Sequence, residues 1–190
     1  MIVRKQPMGQ RVGVFVDVQN MYYSARYAYD ARVNFKAILH DAVQSRQLIR
    51  AIAYVIKTEE FEKERVFFDA LSNIGFEVKA KDLQIFVGGA KKGDWDIGIA
   101  MDMIELAPKL DTVVLVSGDG DFVPLVLHLQ RALGTRVEIM AFGKSASAKL
   151  IEAADSFIDL DKDKKKYLME RRVMKKMPVQ GDQEHGKRSE

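Results

Sequence analysis

The sequence predicts an α/β domain of three layers, in which helices cover both faces of a mainly parallel sheet of five or six strands. Two observations predict it. Five β-branched apolar runs alternate along the chain with segments of helical periodicity. The first and fourth runs are apolar at consecutive positions, as strands buried on both faces of a parallel sheet must be. A length of 190 residues supports one sizeable core and is short for two.

The elements follow in order. RVGVFVD opens as the first strand, and Asn20, three residues after Asp17, stands at the start of a helix. Phe35, Ile38, Leu39, Ala42 and Val43 have the spacing of a buried helix face. LIRAIAYVI is the second strand; Phe61 to Leu71 forms a helix, with Gly75 placed as its C-cap. FEVKA is the third strand, and AKDLQIFVGGAKKGD reads as a hairpin or mobile loop. Ile97, Ala100, Met101 and Ile104 mark the next helix, with Asp94 as N-cap and Pro108 as its stop. TVVLVSGD is the fourth strand, Phe122 to Leu133 a helix closed by Gly134, and TRVEIMAF the fifth strand. A short helix from Ala146 to Ala154 and an edge strand SFIDL complete the layers.

Composition excludes several classes. With no cysteine, disulfides, thiolate catalysis and Cys-ligated zinc are ruled out. No window of about 18 apolar residues suggests a membrane span. The N-terminus MIVRKQPMGQ lacks a secretory apolar region, and the expectation is a cytoplasmic protein. The formal charge of +3 is unevenly spread: eight Lys/Arg face three acids between Asp161 and Met177. The predicted organisation is an N-terminal extension over 1–10, the domain over 11–160, a basic helical extension over 161–177 and a disordered tail over 178–190.

In open α/β sheets, ligands bind beyond the carboxyl ends of strands, where strand order reverses. Asp17 directly follows VGVFV, and Asp119 and Asp121 follow VVLVSG. If these two strands are neighbours, the acids converge on one crevice. Asp96, in the first turn of the third helix, adds a further direction. Asp102, roughly 120° around that helix from Asp96, is at most a supporting residue. Clustered carboxylates repel unless a hard cation neutralises them, and an oxygen-only donor set suits Mg²⁺ or Mn²⁺. Such an ion activates water and stabilises the oxygens of a phosphodiester under attack. Asn20 and Ser117 are placed to orient a ligand water or a carboxylate.

VFVDVQN, KKGDWDIGIAMD and LVSGDGDFVPLV resemble the signature segments of the NYN domain, in its LabA-like branch, which is similar to PIN and flap nucleases. The resemblance spans about residues 10 to 160. It implies a Rossmann-like, PIN-like sheet, a divalent-metal site at Asp17, Asn20, Asp96, Asp119 and Asp121, and an RNA substrate, single-stranded or structured. The expected activity is metal-dependent RNA phosphodiester hydrolysis; the alternative is a non-catalytic RNA-binding or regulatory module that keeps the metal site. Lys91, Lys92, Lys164, Lys165, Lys166, Arg171 and Arg172 are the candidate phosphate contacts, and a homodimer is the assembly kept in view.

Each acid also has a plain structural use. Asp17, Asp94, Asp96 and Asp121 could all serve helix N-termini. Lys91 and Lys92 could be solvated loop charges. Trp95 and Phe122 are read as packing residues, His40 and His128 as edge or surface residues. A lone Gly13 makes no dinucleotide fingerprint, and no P-loop or Ser-His-Asp set is visible. Gln19, two after Asp17, breaks the DxD pattern of a phosphatase nucleophile.

Overall fold

The computed structural model describes residues 9–57, 61–85, 91–92 and 94–170. In chain order these form β1 (Arg11–Asp17), α1 (Val18–Tyr29), β2 (Arg32–Val33), α2 (Phe35–Val43), β3 (Gln47–Lys57), α3 (Phe61–Ile74) and β4 (Glu77–Asp82). There follow β5 (Gln84–Ile85), β6 (Lys91–Lys92), α4 (Asp96–Leu106), β7 (Thr112–Val116), α5 (Val123–Leu133) and β8 (Arg136–Ala141). The last are α6 (Ala148–Ala153), β9 (Ser156–Asp159), α7 (Lys164–Tyr167) and β10 (Leu168–Met169).

Six strands make one sheet in the order β4-β3-β1-β7-β8-β9, with every pairing parallel. The three-layer α/β expectation holds. From β1 the chain builds outward through β3 and β4, then returns to add β7 on the other side. The reversal therefore falls between β1 and β7.

Strand alternation divides the core. Val12, Val14 and Val16 face α1, α2 and Leu71 of α3. Phe15 faces the opposite side, where Ile99 and Met103 of α4 and Leu125 and Leu129 of α5 pack. At period two, Asp17 shares the Phe15 side. The last residue of β1 is thereby aimed at the layer that contains α4.

Several local expectations hold. Gly75 follows α3 with φ of +116°, and Gly134 caps α5 in the left-handed region. The odd segment between β4 and α4 contains a hairpin, β5 pairing antiparallel with β6.

Two do not. The apolar residues that marked the third helix are not its buried face: Ile97 and Met101 are 78% and 62% exposed, and Ile99, Met103 and Leu106 are buried instead. The helix DIGIAMDMIEL is apolar on most of its circumference, so periodicity alone admits either stripe. Asp102 decides between them, because Tyr54 donates to it at 2.6 Å and Lys79 reaches it at 2.7 Å from the sheet.

The basic stretch after Asp161 does not begin one helix. A 3-10 turn (Leu160–Asp163) leads into the four residues of α7, and β10 then pairs antiparallel with β2. Asn34 ends α7 by donating its backbone N–H to Tyr167 O at 2.8 Å and its side-chain amide to Lys166 O at 2.9 Å. Tyr167 is buried against the α2 layer, which gives the turn its anchor. The expectations for 171–177 and 178–190 lie outside the described residues.

Candidate metal centre

Two loops and one helix end meet at the β1/β7 reversal. Asp17 closes β1 and caps α1, its Oδ1 accepting from Asn20 N at 3.0 Å. Its Oδ2 accepts from the Ser117 hydroxyl at 3.2 Å, and the same Oγ accepts from Asp119 N at 3.2 Å. Ser117 is fully buried. One hydroxyl thus ties the end of β1 to the turn after β7. A second tie runs alongside it, from Gly118 N to Asn20 Oδ1 at 3.0 Å.

The SGDGD turn is then pinned from outside. Ser147 N donates to Gly118 O at 2.9 Å. A Cβ at Gly118 would lie 3.0 Å from Ala146 Cα, so the glycine permits this close approach. Asp119 caps the following 3-10 turn, its Oδ1 accepting from Asp121 N at 3.0 Å.

Asp96 arrives on the first residue of α4. Its N-cap is Trp95, which makes no side-chain cap bond, so Asp94 is not the cap that the sequence suggested. The Asp94 carbonyl accepts from Lys81 Nζ of β4 instead. Trp95 holds the helix end in place: its indole N–H donates to Val55 O at 2.7 Å and its ring packs 5.3 Å from that of Tyr54. Gly98 makes room for this ring, since a Cβ there would stand 2.5 Å from Trp95 Cε3. Alanine would gain about 0.5–1 kcal/mol of helix propensity against about 1–3 kcal/mol of overpacking. Gly98→Ala is therefore expected to lower Tm, which thermal unfolding followed by Trp95 fluorescence will read.

Oxygens of Asp96, Asp119 and Asp121 all lie within 4.8 Å of one another. Asp17 is outside that trio but within its field. Burial pushes the Asp17 carboxyl up to about 6, with Asp96 and Asp119 adding repulsion and the Asn20 and Ser117 bonds opposing it. Asp96 is also raised, first by burial and then by Asp119, Asp94 and Asp121, while Lys81 acts in the other direction.

The sign of the consequence is definite. The Asp17 carboxyl binds its proton more tightly folded than unfolded, so the unliganded protein loses stability as pH rises from about 3.8 to about 6. A shift of this size is worth about 2–3 kcal/mol. Asp17→Asn is expected to flatten that part of the profile, measured by urea unfolding in chelator across the interval.

A trio of carboxylates without His or Cys fits a hard divalent cation, which would relieve the repulsion that raises Asp96. The geometry thus brings Asp96, Asp119 and Asp121 together as possible direct ligands. Asp17, Asn20 and Ser117 form a hydrogen-bonded set beside them.

Of the predicted phosphate contacts, Lys166 is committed elsewhere, 2.6 Å from Asp41. Lys164 stands over the Tyr29 ring at 5.0 Å, and Lys165 is exposed. Lys91 and Lys92 form β6, their side chains lying outside what is described, as do Arg171 and Arg172. Sequence reasoning missed Lys81, whose charge reaches Asp96 from β4, and Ser147, which fastens the acidic turn. Neither has a local signal, because both act through contacts remote in the chain. Asp102 sits with Tyr54 and Lys79, away from the trio. Trp95 and Phe122 are packing residues as read, Phe122 being 2% exposed. Among the described residues no helix is long and apolar enough to cross a membrane.

This arrangement has relatives. The chain is 29% identical over 162 residues to the Low amplitude and bright protein LabA of Synechococcus elongatus, covering 80% of this chain and 84% of that protein. It also resembles the crystal structure of a protein of unknown function from Vibrio parahaemolyticus, at 36% identity and a TM-score of 0.78, covering 87% of this chain and 99% of the other. The profile of the NYN domain matches residues 11–161, a span that holds all four acids, and the chain belongs to the NYN domain family.

Proposed function

We propose that this protein is a Mg²⁺- or Mn²⁺-dependent ribonuclease that hydrolyses RNA phosphodiesters. The observation that carries the reading is the convergence of Asp96, Asp119 and Asp121 within 4.8 Å, at the strand-order reversal of a NYN domain. Asp96, Asp119 and Asp121 would hold the ion, with Asp17 beside it contributing charge. Bound there, the ion supplies charge stabilisation to the phosphodiester and makes water a better nucleophile.

The chain's own residues supply rigidity. Ser117 Oγ donates to Asp17 Oδ2 while accepting from Asp119 N, so the Asp17 carboxylate is fixed relative to the Asp119 backbone. Asn20 keeps the Gly118 peptide at one height above α1. Such preorganisation matters because a metal ligand displaced by about 1 Å costs rate steeply. Of the candidate phosphate contacts, Lys164 and Lys165 are described and not paired with a carboxylate, and their contribution weakens with salt.

A labelled-RNA cleavage assay tests the reading. Cleavage that requires Mn²⁺ or Mg²⁺ is expected, with a loss of at least about a hundredfold in Asp96→Asn and Asp119→Asn. Equal cleavage by wild type and variants would assign the activity to a contaminant. RNA binding without turnover by pure wild type would make the chain a binding or regulatory module instead.

A further inference from the structure

The stripe of α4 that the core does not use stays uncovered. Ile97, Ala100 and Ile104 recur at i, i+3 and i+7 on one side of the helix, and both isoleucines are exposed. Opposite them stands α5, which contributes Pro124, Leu125 and His128. The two walls flank an open groove of about 400 Å³. From Asp96 to Ile104 it follows α4 for about 12 Å, at about 1.5 Å per residue. Exposed apolar side chains gathered on one face mark an interaction site.

One end of this groove is the acidic centre itself. Asp96 and Asp121 line it, and they are two of the three carboxylates that come within ligand distance of one another. The group attached to a phosphate held there by a cation is therefore at the groove's mouth, and the walls select what that group can be. Among the described residues no Lys or Arg lines the groove. A second phosphate would meet apolar surface and two carboxylates with no compensating cation. A nucleobase is suited, because its flat faces are apolar and enzymes that act on nucleotides seat bases between apolar or aromatic side chains.

From this continuity we infer that the groove between α4 and α5 is a nucleobase subsite of the acidic centre. It seats the base of the nucleotide whose phosphate the cation holds, and it prefers a purine to a pyrimidine. The inference rests on the reading of that centre as a phosphodiester-cleaving site, and it names the part of the nucleotide that gives selectivity. Contact with aliphatic walls rewards buried area, and a purine presents more area than a pyrimidine. Hydrogen-bond reading plays a small part, since beyond the acids His128 is the one polar side chain lining the groove.

Isothermal titration calorimetry in Mn²⁺ tests it, with the 3′- and 5′-monophosphates of adenosine and uridine and with ribose 5-phosphate. None of these contains a phosphodiester, so binding is read without turnover. One of the two adenosine isomers is expected to bind about tenfold more tightly than ribose 5-phosphate, with the matching uridine isomer between them. The isomer that gains identifies the side of the scissile bond on which the base lies. Ile97→Ser and Ile104→Ser are each expected to remove most of the adenosine advantage while leaving the affinities for Mn²⁺ and ribose 5-phosphate unchanged. Both side chains are exposed, so folded variants are expected, checked by circular dichroism.

Adenosine monophosphates that bind no more tightly than ribose 5-phosphate would overturn the subsite and leave the nuclease reading standing. An adenosine advantage that survives both substitutions would place the base elsewhere and overturn it too. Uridine binding as tightly as adenosine would overturn the purine preference. A wild type that takes Mn²⁺ but no phosphate ester, and cleaves no RNA, would remove the subsite and the nuclease reading together. Sedimentation showing a wild-type dimer that the serine variants dissociate, with nucleotide affinity unaltered, would give the groove to a second copy of the chain.

Discussion

Asp96→Asn is expected to abolish metal-dependent cleavage while leaving the unliganded protein at least as stable as wild type. The two effects have one cause. The Asp96 carboxyl is half-buried among Asp94, Asp119 and Asp121, and its proton affinity is raised by burial and by those neighbours. Neutralising it in the absence of a cation removes like-charge repulsion. In the presence of a cation it removes a ligand. Thermal unfolding separates the cases. Saturating Mn²⁺ at about a hundred times Kd stabilises a folded protein by about 2.7 kcal/mol, or roughly 5–10 °C for a chain of this size. Wild type is expected to show that rise and Asp96→Asn to show little of it. In EDTA the order reverses or equalises. A variant that is less stable than wild type in EDTA would mean that Asp96 serves the fold rather than the ion.

Arg46→Ala is expected to cost up to about 3 kcal/mol, a large share of the roughly 5–15 kcal/mol that holds a domain folded. Arg46 and Glu138 form an ion pair whose side chains are 0% and 1% exposed, Nη1 lying 3.0 Å from Oε2. The contact is ionic rather than a well-aligned hydrogen bond. Arg46 also donates from Nε to Val43 O at 3.3 Å and from Nη2 to Ala42 O, covering carbonyls at the end of α2. Glu138 takes a second cation, Arg136, at 3.0 Å. Removing Arg46 takes one of two cations from a buried carboxylate and uncovers a helix end together. Urea unfolding will measure the loss. Replacing both members, Arg46→Met with Glu138→Leu, should recover most of it, because the desolvation of two charges disappears along with their attraction.

Neither charge announced itself. Alternation along RVEIMA reads Glu138 as a solvent-facing residue, the usual place for an acid in a strand. In β8, which has β7 on one side and β9 on the other and helices on both faces, there is no solvent face. The same gap explains the misread face of α4. Its periodicity was visible, but two apolar stripes were available. The choice lay with Tyr54 and Lys79 reaching Asp102 from distant strands. Lys81 and Ser147 escaped notice for that reason too.

Other features were legible because their causes are local. Consecutive apolar residues in VGVFV and TVVLV could only be strands covered on both sides, and they are paired neighbours. Asp17 and Asp119 were found because a carboxylate directly after such a strand lies at its exposed end. The glycines after α3 and α5 carry the positive φ that a helix stop favours.

By itself, then, the sequence determined the layered α/β fold, the strand ends that carry the acids, and the three segments that mark the chain as a NYN domain. Only the tertiary structure decided which acids come within ligand distance. It gathers Asp96, Asp119 and Asp121 and sets Asp17 beside them, bonded to Ser117 and Asn20. It also turned Tyr23 and Tyr27 of α1 outward. The reason is physical: periodicity and capping are short-range and written in consecutive residues. Ligand distances and exposed faces depend on how separate elements pack, where contacts span a hundred residues of chain.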